Sequence, residues 1–152
     1  MLKAISEWFQ EQIGQSQQHD QQSTVELATA VLLYEIMRAD EKFEEAEQLA
    51  FNALLEGHFS LQPDAVQLLV EASKHEAKHA VDFQTYTRVI NQQCNVDEKR
   101  KILHMLWRLA YADRHIDVHE SHLIRRISDL LHIPHSEFIQ TKLTIIDANQ
   151  AN

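Results

Sequence analysis

The strongest constraint on this chain is that it contains the same helical hairpin twice. Residues 32–54 lie over residues 105–127 at a shift of 73 positions. Ala39-Asp40 falls on Ala112-Asp113, Phe43 on Ile116, Glu44 on Asp117 and Glu47 on Glu120. Upstream, Leu33 meets Leu106 and Tyr34 meets Trp107; downstream, Leu54 meets Ile127. With a one-residue adjustment, Pro63 and Asp64 lie near Pro134 and Ser136. Each half reads as a buried helix, an A-D-x-x-[FI]-[ED]-x-x-E turn, an amphipathic helix, a short break and another helix. One shared dipeptide arises easily by chance. A shared motif at matching places in two matching hairpins does not, and a repeated unit demands a repeated architecture.

The repeat is helical on chemical grounds. The 152 residues include only two Gly and two Pro, too few for the many turns of an all-β chain. Long stretches of Ala, Leu, Glu, Gln, Lys and Arg lose little rotamer freedom in a helix. The segment from Ser23 or Thr24 to Ala39 is apolar nearly all round, which places it at the centre of a fold. The spacing then predicts a helix from Glu44 to Glu56 stopped by Gly57, and one starting at Pro63. A short helix capped by Asp82 follows, through Ile90. Asn95 and Glu98 form a capping box for a second apolar helix, to about Ala112. Helices at 117–131 and from Pro134 to about Asp147 complete the set. The expectation is an all-α fold of seven to eight helices in two pseudo-symmetric halves, about 24–79 and 97–149, within one domain over 24–152.

Ahead of that domain, Leu2, Ile5, Phe9 and Ile13 form an apolar stripe at helical spacing, with Trp8 beside it. Little positive charge flanks it, so residues 1–13 are expected to pack on the core or a partner rather than on lipid. Residues 14–23 read as a polar, Gln-rich linker.

The net charge of −9 is uneven. Residues 26–82 hold 12 acids and 4 bases, whereas residues 83–152 hold 8 acids and 9 bases. An acidic surface repels phosphate backbones, so nucleic acid is not an expected partner. The expected partner is a protein, a second copy of the chain included, with membrane contact only indirect. Cys94 is the only cysteine, and neither a signal peptide nor a membrane-spanning run is legible, so the expected address is the cytoplasm.

The duplicated motif admits two chemistries. Acids at its second, sixth and ninth positions can offer oxygen ligands to a hard cation, which suits Ca²⁺ or Mg²⁺ better than Zn²⁺. Acids in a first helical turn also complement the helix dipole, and Asp117 with Glu120 has the spacing of a D-x-x-E capping box. Two other patterns compete for notice. His75-Glu76-Ala77-Lys78-His79 spells H-E-x-x-H, but a zinc hydrolase needs a third ligand and a cleft, so a polar helix end is expected there. His115, His119 and His122 cluster near the second motif and face solvent in the simplest reading. No catalytic constellation stands out, and the chain is expected not to be an enzyme.

The run LWRLAYADRHIDVHESHLIRRISDLLHIPHSEF (106–138), preceded by VDFQTYTRVIN (81–91), closely resembles the TerB-like, tellurite-resistance-associated family of bacteria. LLYEIMRADEKFEEAEQLA (32–50) matches the same pattern more loosely. The resemblance implies an all-α fold of two pseudo-symmetric halves, no established catalysis, links to stress responses and membrane-associated complexes, and a divalent-cation site formed by acids. Carried over position by position, those acids are Asp40, Glu44 and Glu47 in the first half, and Asp113, Asp117 and Glu120 in the second. The family usually follows A-D with Gly, which permits a positive φ; here Glu41 and Arg114 stand instead. The expected function is therefore a cation-binding module. The alternative is a protein-interaction domain, using its acidic surface or first helix, whose motif acids only cap helices.

Overall fold

A computed structural model of the chain describes residues 17–39, 45–79 and 83–150. These form seven α-helices: α1 (Gln17–Ala39), α2 (Glu45–Phe59), α3 (Pro63–His79), α4 (Gln84–Gln93), α5 (Val96–Ala110), α6 (Val118–Leu130) and α7 (His135–Gln150). No strand occurs among the described residues. The amphipathic stripe expected over residues 1–13 lies outside them.

The duplication is visible in the packing. In the first half α1, α2 and α3 contact one another pairwise, and in the second half α5, α6 and α7 do the same. The central helices α1 and α5 also touch, and each reaches into the other half: α1 packs on α6, and α5 packs on α2. These two cross-contacts are the same pair under the 73-residue shift. α4 joins the halves and lies against α1 and α6.

The apolar stretches of α1 and α5 have the expected result. Leu32, Leu33, Ile36 and Met37 of α1 are fully buried, as are Leu103, Leu106, Trp107 and Leu109 of α5. Burying each such side chain contributes about 1.5–3 kcal/mol, so these two helices dominate the core. Phe51 and Leu55 of α2, Leu69 of α3, Ile90 of α4, and Ile124 and Ile127 of α6 close around them. Tyr34 meets Phe51 edge-on, with centroids 6.3 Å apart. Its counterpart Trp107 packs on Phe138 of α7 at 5.0 Å.

Several helix ends differ from the sequence reading, each for a local reason. α1 begins at Gln17, so it takes in most of the stretch expected to be a linker; Gln is a good helix former, and no Gly or Pro lies between Gly14 and Ala39. Gly57 does not end α2. The helix continues to Phe59, and Ser60 adopts the left-handed conformation (φ 54°) while Leu61 N–H donates to Glu56 O at 3.1 Å. That is a Schellman closure made without glycine. The end of α6 repeats it: His132 has φ 62°, and Ile133 N–H donates to Ser128 O at 3.0 Å. α4 is preceded by Phe83, which makes no side-chain cap bond, and runs to Gln93; Asp82 lies outside the described residues. The Asn95–Glu98 capping box is present, with both reciprocal bonds formed at 2.9 and 3.1 Å.

Candidate functional site

The second acidic motif spans the turn from α5 to α6. Ala112 and Arg114 donate backbone hydrogen bonds to Leu109 O and Tyr111 O, which curls the chain out of the helix. Arg114 then takes φ 64°, the left-handed conformation that Gly would adopt without steric cost. Asp113 Oδ1 accepts from His115 N–H at 3.0 Å and fixes the next bend. Asp117 is the N-cap of α6. Its Oδ1 accepts from His119 N–H at 2.9 Å, and its own N–H donates to Glu120 Oε1 at 3.1 Å. Each of the three acids thus has a carboxylate oxygen engaged by backbone N–H. Glu120 is fully buried, whereas Asp113 and Asp117 are partly exposed.

In the first half, Asp40 and Glu44 lie outside the described residues. Glu47 sits in the first turn of α2 and is fully buried, as its counterpart Glu120 is in α6. Among the described residues no group of three or more His, Cys, Asp or Glu side chains is gathered as a metal ion requires.

The competing patterns are also placed. His75 and Glu76 lie near the end of α3, half-buried rather than fully exposed. Glu76 Oε2 accepts a 3.0 Å hydrogen bond from the Tyr86 hydroxyl, tying α3 to α4. Burial and this acceptor push the Tyr86 phenol up to about 12. His115, His119 and His122 are exposed. Cys94 ends α4, where burial first and then Glu98 raise its thiol pKa, the opposite of what a reactive thiolate needs. Among the described residues no helix is long and apolar enough to cross a membrane.

One feature escapes a linear reading of the sequence. A cleft of about 600 Å³ runs between α2 and α5. Ala46, Ala50, Ala53 and Gly57 line its α2 side, and Lys101, His104 and Arg108 line its α5 side. No carboxylate is among the described residues that line it. The sequence does carry both stripes at helical spacing. What it lacks is any statement that α2 and α5, from different halves, stand side by side. Partial burial lowers the imidazole pKa values of His58 and His104; Lys101 lowers the first further while Glu98 opposes it, and Arg108 lowers the second.

No curated protein and no solved structure matches the chain. A family model described as tellurite resistance protein TerB matches residues 26–143, the stretch that holds both acidic motifs and most of the helical bundle. With its paired three-helix halves and an A-D motif present twice in the sequence, the chain belongs to the TerB family.

Proposed function

We propose that this TerB-family chain is a non-enzymatic interaction module in which the acids of the second motif cap α6 and set the turn before it. The observation that carries this reading is the set of hydrogen bonds from His115, His119 and Asp117 N–H to the Asp113, Asp117 and Glu120 carboxylates. Capping satisfies helix N–H groups that have no partner within the helix and places negative charge at the positive end of its dipole. The role is architectural, and it leaves binding to the helical surfaces. The family's description, a tellurite resistance protein, supports a stress-response setting without carrying tellurite itself over to this chain.

Divalent-cation binding is the second reading, and one observation favours it. Glu47 and Glu120 are both fully buried at equivalent places beneath the two motifs. Carboxylate oxygens suit hard cations such as Ca²⁺ and Mg²⁺, and the repeat keeps an acid at this same buried place in both halves. The two readings separate in an amide-resolved NMR titration with Ca²⁺, Mg²⁺ and Zn²⁺ on the parent and on Asp113→Asn/Asp117→Asn. Capping predicts no saturable shifts at residues 113–120, and a double variant that keeps its fold because Asn caps nearly as well as Asp. Saturable shifts there, lost in the double variant, transfer the assignment to the cation.

A further inference from the structure

The pseudo-two-fold arrangement assigns a use to the α2/α5 groove. Under the shift of 73, α2 corresponds to α6 and α5 to α1, so the groove between α2 and α5 has a counterpart between α6 and α1. That counterpart is filled by a helix, α4. Two contacts and one electrostatic interaction describe how α4 sits. The Arg126 guanidinium lies 5.5 Å over the Phe83 ring at its start. Asn91 Nδ2 donates to Leu130 O at 2.9 Å near its end. Glu35 lies close enough to the Tyr86 hydroxyl to act on it electrostatically. The residues equivalent to Arg126, Leu130 and Glu35 are Ala53, Gly57 and Arg108, and all three line the α2/α5 groove. No described helix of this chain occupies that second seat.

The two seats are built from equivalent helices and carry different chemistry. On the occupied side, α1 presents buried Ala28 and Val31 and the acid Glu35. On the side that no described helix fills, the equivalent residues of α5 are exposed Lys101, His104 and Arg108. The floor changes as well: Leu123 and Arg126 of α6 become Ala50 and Ala53 of α2. A helix in this seat therefore has more room toward α2 than α4 has toward α6, and meets cations where Tyr86 meets an acid.

Resting on the interaction-module reading, we propose that the α2/α5 groove seats a helix of a partner protein, with bulky apolar side chains toward Ala50 and Ala53 and carboxylates toward Lys101 and Arg108. Helix-in-groove recognition of this kind uses apolar anchors at i, i+3, i+4 and i+7 for affinity, and opposite charge selects the partner. The chain's net charge of −9 opposes any anion at long range and a polyanion most, so the attraction is local to Lys101 and Arg108 and suits a short helix with few carboxylates better than a nucleic acid strand.

The test is an NMR titration of the full chain with a synthetic amphipathic helix bearing Leu and Phe on one face and Glu on the other. Its twin, with every Glu replaced by Lys, is titrated in parallel. The expected result is saturable shifts at Ala50, Ala53, Lys101 and His104 with the acidic peptide, about tenfold weaker binding of the basic twin, and loss of both in Ala53→Trp. Lys101→Glu/Arg108→Glu is expected to reverse the preference between the twins. Equal affinity for the twins, no response to either, or shifts confined to Ile139 and Leu143 of α7 would overturn the groove assignment. Only the last of these leaves the interaction-module reading with direct support. Overhauser contacts between residues 2–13 and Ala53 in the peptide-free chain, or a dimer dissociated by Ala53→Trp, would give the seat to the chain itself and overturn the partner.

Discussion

Arg114 holds its backbone at φ 64°, where the Cβ of any residue but glycine crowds the neighbouring peptide. A non-glycine residue in this region costs about 1–2 kcal/mol, and glycine returns roughly 0.5–1 kcal/mol of that through its freedom in the unfolded chain. Arg114→Gly is therefore expected to stabilise the fold by about 0.5–1 kcal/mol, read as a higher urea midpoint at unchanged slope. An unchanged midpoint would mean that the turn carries no such strain. A second single-residue effect belongs to Glu26, which is 8% exposed and whose burial raises its carboxyl pKa to about 7. The folded state holds the proton that the unfolded chain releases, so this contribution is fully present below about pH 4.5 and is lost as pH rises through about 7. Stability is expected to fall by about 1.4 kcal/mol per pH unit across that window, on the order of 3 kcal/mol in all. Glu26→Gln should abolish the slope; denaturant unfolding at a series of pH values checks it, and a slope that survives the substitution would assign it to another group.

At the scale of the helix, the two capping boxes are the features with the clearest energetic content. Asn95→Ala and Asp117→Ala each remove an acceptor for an N–H at the start of a helix, and each is expected to cost about 1 kcal/mol, within roughly 0.5–2. Asp117→Asn keeps the acceptor and gives up only the charge–dipole attraction, so its cost is expected to be a few tenths of a kcal/mol. Chemical denaturation of the three variants gives this order if the acid is a cap, and equal losses for Asp117→Ala and Asp117→Asn would contradict it. Both boxes were legible in the sequence because a cap is local: its donors and acceptors lie two or three residues apart. The helix count was legible for a related reason, since residues 24–39 of α1 are apolar nearly all round and α5 is apolar on most sides. The end of α2 was not. Gly57 satisfies the usual rule for a stop, but the closure is decided by which residue the chain can turn left-handed after Phe59, and Ser60 does so. The α2/α5 groove was illegible for a deeper reason. Its two walls lie more than forty residues apart, and only the packing of one half on the other brings Ala53 and Arg108 to the same cleft.

For the molecule as a whole, the repeat makes a prediction about cooperativity. Leu33 and its counterpart Leu106 are both fully buried in the shared core. Leu33→Ala and Leu106→Ala are each expected to cost about 2–5 kcal/mol and to lower one common unfolding transition rather than split it in two. Coincident near- and far-ultraviolet circular dichroism melts check this, and separate melts for the two variants would show that the halves unfold independently. The cross-contacts of α1 with α6 and of α5 with α2 have a consequence for ancestry as well as stability. Each half lends its second helix to cover the other half's central one, as two subunits do across a symmetric dimer. In evolutionary terms this is the pattern that head-to-tail fusion of two copies of a homodimer's gene would produce, with α4 as the tether. The join should then still be dispensable: if the chain is cut in the short break between Gln93 and Val96, the two pieces should be largely unfolded apart and regain their helicity when mixed in equal amounts.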